Sequence, residues 1–144
     1  MKNQHQALTQ KILAAAIEVH KILGPGLLES AYKTCLSFEL ENIGLKFTKE
    51  QTIPFIYKNH KVDSGFRSDF FIEGMVILEL KSVEALLPVH KSQVLTYLRL
   101  TDTQVGLLIN FNVPLLKNGI CRCVLKAKEE EESFDILPWE MSSV

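Results

Sequence analysis

The chain has 144 residues, 47% of them hydrophobic and 23% charged, which is the size of one domain able to bury a real core, so we expect residues 1–144 to form a single unit. No apolar run reaches membrane-spanning length and the start of the chain is polar, without a signal-peptide core, so a membrane span is excluded and a cytoplasmic location is expected. The net charge of -1 excludes a uniformly basic surface: any grip on phosphate has to be local, at His20 and Lys21, Arg67, Lys81, His90, Lys91 and Arg99, while the acids at residues 129–132 fall elsewhere.

Leu8, Ile12, Ala15, Val19 and Leu23 follow a spacing of three and four, which predicts an amphipathic first helix with Lys11, Glu18 and Lys21 on its polar side. Gly24, Pro25 and Gly26 break it. A second helix is predicted from Gly26 to about Asn42, with Leu28, Ala31, Cys35 and Phe38 on one stripe and Gly44 as its stop, so the chain opens with a helical hairpin. From residue 45 the periodicity becomes that of strands: Leu45 to Phe55 or Tyr57, a turn at Lys58, Asn59 and His60, then residues 62–72 and 75–81, the last two joined by the short Glu73-Gly74 connection. Pro54 marks the first of these strands as an edge or as interrupted there. Helical spacing returns over residues 88–100, with Pro88 acceptable in a first turn. Residues 105–111 are apolar on both faces and read as a buried central strand. Residues 120–126 are predicted as a further strand, and the acidic segment after it is expected to be solvated before Phe134, Ile136, Leu137 and Trp139 return to the body. This order predicts a mixed α/β fold with helices against one sheet. Cys35, Cys121 and Cys123 are an odd count without a signal peptide, which argues for reduced thiols, and Cys121 and Cys123 are read as buried small side chains facing the same way.

The pattern richest in chemistry is Asp69, nine residues, then Glu79, Leu80 and Lys81. In a strand, side chains alternate, so Glu79 and Lys81 share a face, and the hairpin returns Glu79 alongside Asp69. Two carboxylates can hold a hard divalent cation through oxygen, and a lysine beside it can stabilise growing negative charge or orient a water. The same residues also describe an ordinary surface hairpin whose acid and base form a salt bridge worth at most about 1 kcal/mol.

Other residues can complete such a site. Glu29, in the first turn of the second helix, is either half of a capping box with Gly26 or a third acidic ligand carried to the sheet; Tyr32 would point the same way and orient it or simply pack. Gln93 and Tyr97 share a helix face, where Gln93 can hold a water or a phosphate oxygen or stand solvated. His20 and His90 are candidate phosphate contacts or surface and capping residues, and Arg67 shares the face of Asp69 by alternation.

Taken together, Gly26-x-x-Glu29-x-x-Tyr32, Ser68-Asp69-Phe70, Glu79-Leu80-Lys81, His90-x-x-Gln93-x-x-x-Tyr97-Leu98 and Gly106-Leu107-Leu108-Ile109-Asn110-Phe111 resemble, in this order, the bacterial GxxExxY family of the PD-(D/E)xK nuclease superfamily, over about residues 20–111. The resemblance implies a restriction-endonuclease-like core, a central mixed β-sheet flanked by helices, with Asp69 and Glu79 as metal-binding acids, Lys81 as the motif lysine, Glu29 as a helix-borne acid and Gln93 as the polar residue of the following helix. Ser68 stands where the superfamily's name has proline, and Tyr57-Lys58-Asn59 departs from a common Tyr-x-Gly turn, which Asn still permits because it tolerates a left-handed conformation. The implied function is hydrolysis of phosphodiesters in DNA or RNA with Mg2+ or Mn2+, ligated by Asp69, Glu79, Glu29 and the Leu80 carbonyl, with Lys81 and Gln93 catalytic and Arg67, His20, His90 and Tyr97 on the substrate. The rivals are a noncatalytic nuclease-fold module that binds nucleic acid or a protein, and hydrolysis of a small nucleotide. A homodimer would put two sites on one duplex.

Overall fold

Leu8, Ile12, Ala15, Ala16 and Val19 are all buried, so the first element is a long helix, α1 (Lys2–Leu23), with one apolar stripe on the core. The computed structural model describes residues 2–125. Residue 126, the acids at 129–132, and Phe134, Ile136, Leu137 and Trp139 lie outside the described residues. After α1, Gly24 and Gly26 take left-handed backbone with φ of 66° and 99°, a conformation that a side chain would strain, and the chain reverses into α2 (Glu29–Asn42).

Two expectations about α2 are corrected. The helix begins at Glu29 with Leu28 as its N-cap, not at Gly26, because the two left-handed glycines are spent on the turn itself. Its buried row is Tyr32, Leu36 and Leu40, whereas Leu28 and Phe38 are largely exposed. Tyr32 decides this: its ring stacks on Phe111 with centroids 4.6 Å apart, and the positions four and eight residues on must then face inward too.

The strands are β1 (Phe47–Tyr57), β2 (His60–Ile72) and β3 (Val76–Lys81), followed by helix α3 (Pro88–Thr101), β4 (Val105–Asn110), a short 3-10 turn (Leu116–Gly119) and β5 (Ile120–Val124). They form one sheet in the order β1-β2-β3-β4-β5. Among the described strands only β3 and β4 are parallel, which requires a crossover, and α3 supplies it; the other pairs are antiparallel, so the sheet is mixed as expected. Lys58 with Asn59, and Glu73 with Gly74, have positive φ at both central positions, the twist that closes two-residue hairpins. β1 is both an edge strand and interrupted: its register with β2 shifts between Ile53 and Phe55, around Pro54.

The sheet is covered on both faces. Side chains of α1 and α2 pack with Phe70, Leu78, Leu80, Leu107 and Ile109, and those of α3 pack with Ile77, Leu108, Cys121 and Cys123. Every residue of β4 is buried as a result. The approach of α3 is close: a Cβ on Gly106 of β4 would lie 2.6 Å from Val94 Cγ1. Cys121 and Cys123 are unbridged and face α3 together; a hydrogen bond from Cys123 draws the Cys121 thiol down to about 7, against the effect of burial and helped by the charge of Lys91.

Candidate functional site

The ladder between β2 and β3 ends at Phe70 and Leu78. Beyond that pair, backbone amides are taken up by carboxylates instead of by a facing strand. The Asp69 N–H donates to Glu79 Oε2 at 2.7 Å, and the Leu80 N–H donates to Asp69 Oδ2 at 2.8 Å. Each acid thus fixes the strand that carries the other, and both are buried, with 7% of Asp69 and 4% of Glu79 exposed.

Two acids this close and this dry resist full ionisation. Burial, and then the charge of Asp69, push Glu79 up to about 8, against the Asp69 amide and the charges of Lys81 and Lys33. Asp69 is also raised, by burial first, and Glu29 adds to the effect while Lys33 and the Leu80 amide oppose it. The pair is short of positive charge.

Part of that charge comes from a residue that the sequence reading passed over. Lys33, one turn beyond Glu29 on α2, places its Nζ 2.8 Å from Asp69 Oδ1, 3.3 Å from Glu29 Oε1 and 3.3 Å from Glu50 Oε1. Burial works against its charge, but the hydrogen bond and charge of Asp69, and then those of Glu50, raise its pKa above the ordinary lysine value. Glu50 was also missed. It lies in β1 between the Lys49–Phe70 and Gln51–Ser68 pairs, opposite Asp69, with a left-handed φ of 54°. Such backbone at a residue with a side chain costs on the order of 1–3 kcal/mol and is held only where the surroundings dictate it.

The loop after β3 is tied down on two sides. Asn110 Oδ1 accepts from the Val83 and Asn112 amides at 3.1 Å each, and Asn110 Nδ2 donates to the Val83 carbonyl at 2.9 Å. Ser82 Oγ donates to the Leu27 carbonyl at 2.6 Å, joining this loop to the turn between α1 and α2. Tyr32, expected to orient Glu29 or to pack, holds that turn: its hydroxyl donates to the Gly24 carbonyl at 2.6 Å and accepts from the Leu27 N–H at 3.2 Å. The turn before α2 and the loop that leads into α3 are therefore joined at the carboxyl ends of the parallel strands β3 and β4, the usual place for a site in an α/β sheet.

The remaining candidates divide. Lys81 is half-buried on β3 and its charge bears on Glu79 and on His90. His90 caps α3, with Nδ1 accepting from the Leu87 N–H at 2.9 Å, which leaves the ring proton on Nε2; burial and then Lys81 lower its pKa against Glu29. Tyr97 is buried, edge-on to Phe66 at 5.2 Å, and burial with the charges of Glu79 and Asp69 pushes it up to about 12. Gln93, half-buried, is one turn before Tyr97 on α3, and Arg67 is exposed two residues before Asp69. His20 is buried, its Nε2 2.8 Å from the Val113 carbonyl and its ring against Phe111. Leu80 meets Asp69 through its amide N–H.

Among the described residues, no three His, Cys, Asp or Glu side chains stand close enough to form a ready-made metal site. The donor chemistry nonetheless suits a hard cation. It consists of carboxylate oxygens, one oxygen of Asp69 and one of Glu79 are already oriented by amides, and Asp69 Oδ1 already faces a cation, the Lys33 ammonium.

The family model for the PD-(D/E)XK nuclease superfamily matches residues 6–123, a span that holds every residue of the site. The chain belongs to the PD-(D/E)XK nuclease superfamily. No curated protein and no solved structure matches it. For this PD-(D/E)XK domain the mixed sheet flanked by helices and the N-terminal helical pair are the restriction-endonuclease-like fold that the motifs imply, and membership supports a nuclease-type function. Nucleases of the superfamily generally use divalent metals. No helix among the described residues is long and apolar enough to cross a membrane.

Proposed function

We propose that the protein is a divalent-metal-dependent nuclease of the GxxExxY branch of the superfamily, cutting phosphodiesters in DNA or RNA through the D-x9-E-x-K site. The observation that carries this reading is the reciprocal bonding of Asp69 and Glu79, which buries two carboxylates with too little positive charge to balance them. Asp69, Glu79 and Glu29, with the Leu80 carbonyl, would hold Mg2+ or Mn2+. An ion bound there neutralises phosphate and makes water a better nucleophile at neutral pH.

The other roles follow from this chain's own groups. Lys81, whose charge bears on Glu79, stabilises negative charge building on the phosphorus oxygens and orients the water. Tyr97, pushed up to about 12, keeps its proton at neutral pH and offers a donor. His90, lowered and with its proton on Nε2, is a neutral donor to a phosphate oxygen. Gln93 on the same helix holds substrate or water, and Arg67 reaches phosphate from the exposed side of β2. With a net charge of -1, affinity for long duplex is weak, so an end, a junction, a single strand or a partner-presented segment suits the protein best.

The test is cleavage of single-stranded, duplex, branched and RNA substrates with Mn2+ or Mg2+. Cutting should fall at least about 100-fold in Lys81→Ala, the scale of losing one transition-state charge contact. Calorimetry should find ion binding kept in Lys81→Ala and lost in Asp69→Ala. A panel left uncut, with no ion bound by the wild type, refutes the nuclease reading and favours a binding module.

A further inference from the structure

Three carboxylates on three different elements, Glu29 at the start of α2, Glu50 in β1 and Asp69 in β2, meet one ammonium, Lys33 Nζ, at 3.3, 3.3 and 2.8 Å. A surface salt bridge has no need of three acids. One lysine leaves two negative charges unmatched among these four groups, before Glu79 is counted. The arrangement is incomplete for a monovalent cation and closer to balance for a divalent one.

The three acids are also unequal. The Asp69 side chain is 9% exposed and has its second oxygen fixed by the Leu80 amide, whereas the Glu50 side chain is 45% exposed and is brought in by left-handed backbone. Glu50 is therefore the more exposed of the two acids and already within reach of Lys33.

We propose that Lys33 is a built-in counter-ion that a divalent cation must displace from Asp69 and Glu29, and that Glu50 is the carboxylate that receives the displaced ammonium. The proposal rests on the nuclease reading for the identity of the site and adds how it is loaded. Without metal, Lys33 keeps Asp69 and Glu29 from repelling each other. On loading, the ammonium shifts to Glu50 over a distance that needs only side-chain rotation, because it already touches all three. The cost of this device is weaker metal binding, and its gain is a site that keeps its shape while empty.

The test is calorimetric titration of the full chain with Mn2+, for wild type, Lys33→Met, Glu50→Gln and the double variant. Lys33→Met should bind Mn2+ about tenfold more tightly, since a positive charge a few ångströms from the ion is gone. Glu50→Gln should bind several-fold more weakly, because Lys33 has lost its alternative partner, and that loss should vanish in the double variant. Melting in chelator gives a readout independent of metal affinity: Lys33→Met should unfold at lower temperature than wild type, and Mn2+ should restore it. Equal or weaker binding by Lys33→Met, or an effect of Glu50→Gln that persists without Lys33, overturns the proposal while leaving the nuclease reading intact. If Lys33→Met does not fold, Glu50→Gln decides alone, with unchanged or tighter binding against the proposal. Absence of Mn2+ binding in both wild type and Lys33→Met overturns the nuclease reading, and this inference with it.

Discussion

Replacing Glu79 with glutamine should stabilise the metal-free protein, and more so as the pH rises. In the folded state burial and Asp69 push the carboxyl from 4.5 up to about 8; in the unfolded chain it returns to the ordinary value. Between those values the unfolded chain gives up a proton that the folded one keeps, so the stability associated with protonated Glu79 is fully present below 4.5 and is lost as the pH rises through about 8. At about 1.4 kcal/mol per pH unit, the span amounts to an upper bound on the order of 5 kcal/mol. Glutamine has no proton to lose, and its side-chain oxygen can still accept the Asp69 N–H that Glu79 Oε2 accepts at 2.7 Å. A gain of roughly 2–4 kcal/mol is expected near pH 8.5 and almost none near pH 5, or about 5–10 °C in Tm for a domain of this size. Scanning calorimetry in chelator at the two pH values measures it. Adding Mn2+ should reverse the order, raising Tm in the wild type alone. An equal gain at both pH values, or no gain at the higher one, would refute the view of Glu79 as an under-compensated buried acid.

Three further substitutions probe the supports of the site. Tyr32→Phe keeps the ring on Phe111 but removes the hydroxyl that bridges Gly24 and Leu27, and should lower stability by about 1–2 kcal/mol with an unchanged urea m-value; no change would mean that the hydroxyl does not hold the turn. Gly106→Ala drives a methyl to 2.6 Å from Val94 Cγ1 and should cost about 1–3 kcal/mol, recovered in part when Val94→Ala is added, whereas additive losses would count against this close approach of α3. Asn110→Ala leaves the Val83 and Asn112 amides without their acceptor, so amide exchange at both should accelerate and stability should fall by about 1–3 kcal/mol; protection unchanged at Val83 would show that the loop is held by other contacts.

The sheet and its helices were legible because their signals are local. Period-two runs with two-residue turns at Lys58-Asn59 and Glu73-Gly74 gave the three-strand meander, and an apolar run between α3 and the last strand gave β4. The buried row of α2 was not legible, because Leu28 and Phe38 are as apolar as Leu36 and Leu40, and the choice was made by Tyr32 stacking on a residue 79 positions away. In the site, the hairpin set Asp69 beside Glu79, and the charge of Lys81 bears on Glu79, but the amide bonds that lock the two acids depend on the ladder ending at Phe70 and Leu78, which no pattern announces. Lys33 could have been found as the i+4 partner of Glu29. Glu50 could not, since its left-handed backbone inside a strand runs against every propensity.

That kink in β1 has a second effect, on how the protein behaves in company. β1 is an edge strand of the sheet, and an edge strand presents unpaired amides and carbonyls on which another chain can build. Here the invitation is cut short. Glu50 takes left-handed backbone, Pro54 has no N–H to offer, and the register with β2 shifts around Pro54, between Ile53 and Phe55. The left-handed residue that delivers a carboxylate to Lys33 thus also breaks the regularity of an exposed edge, one of the ways a sheet discourages the addition of a further strand.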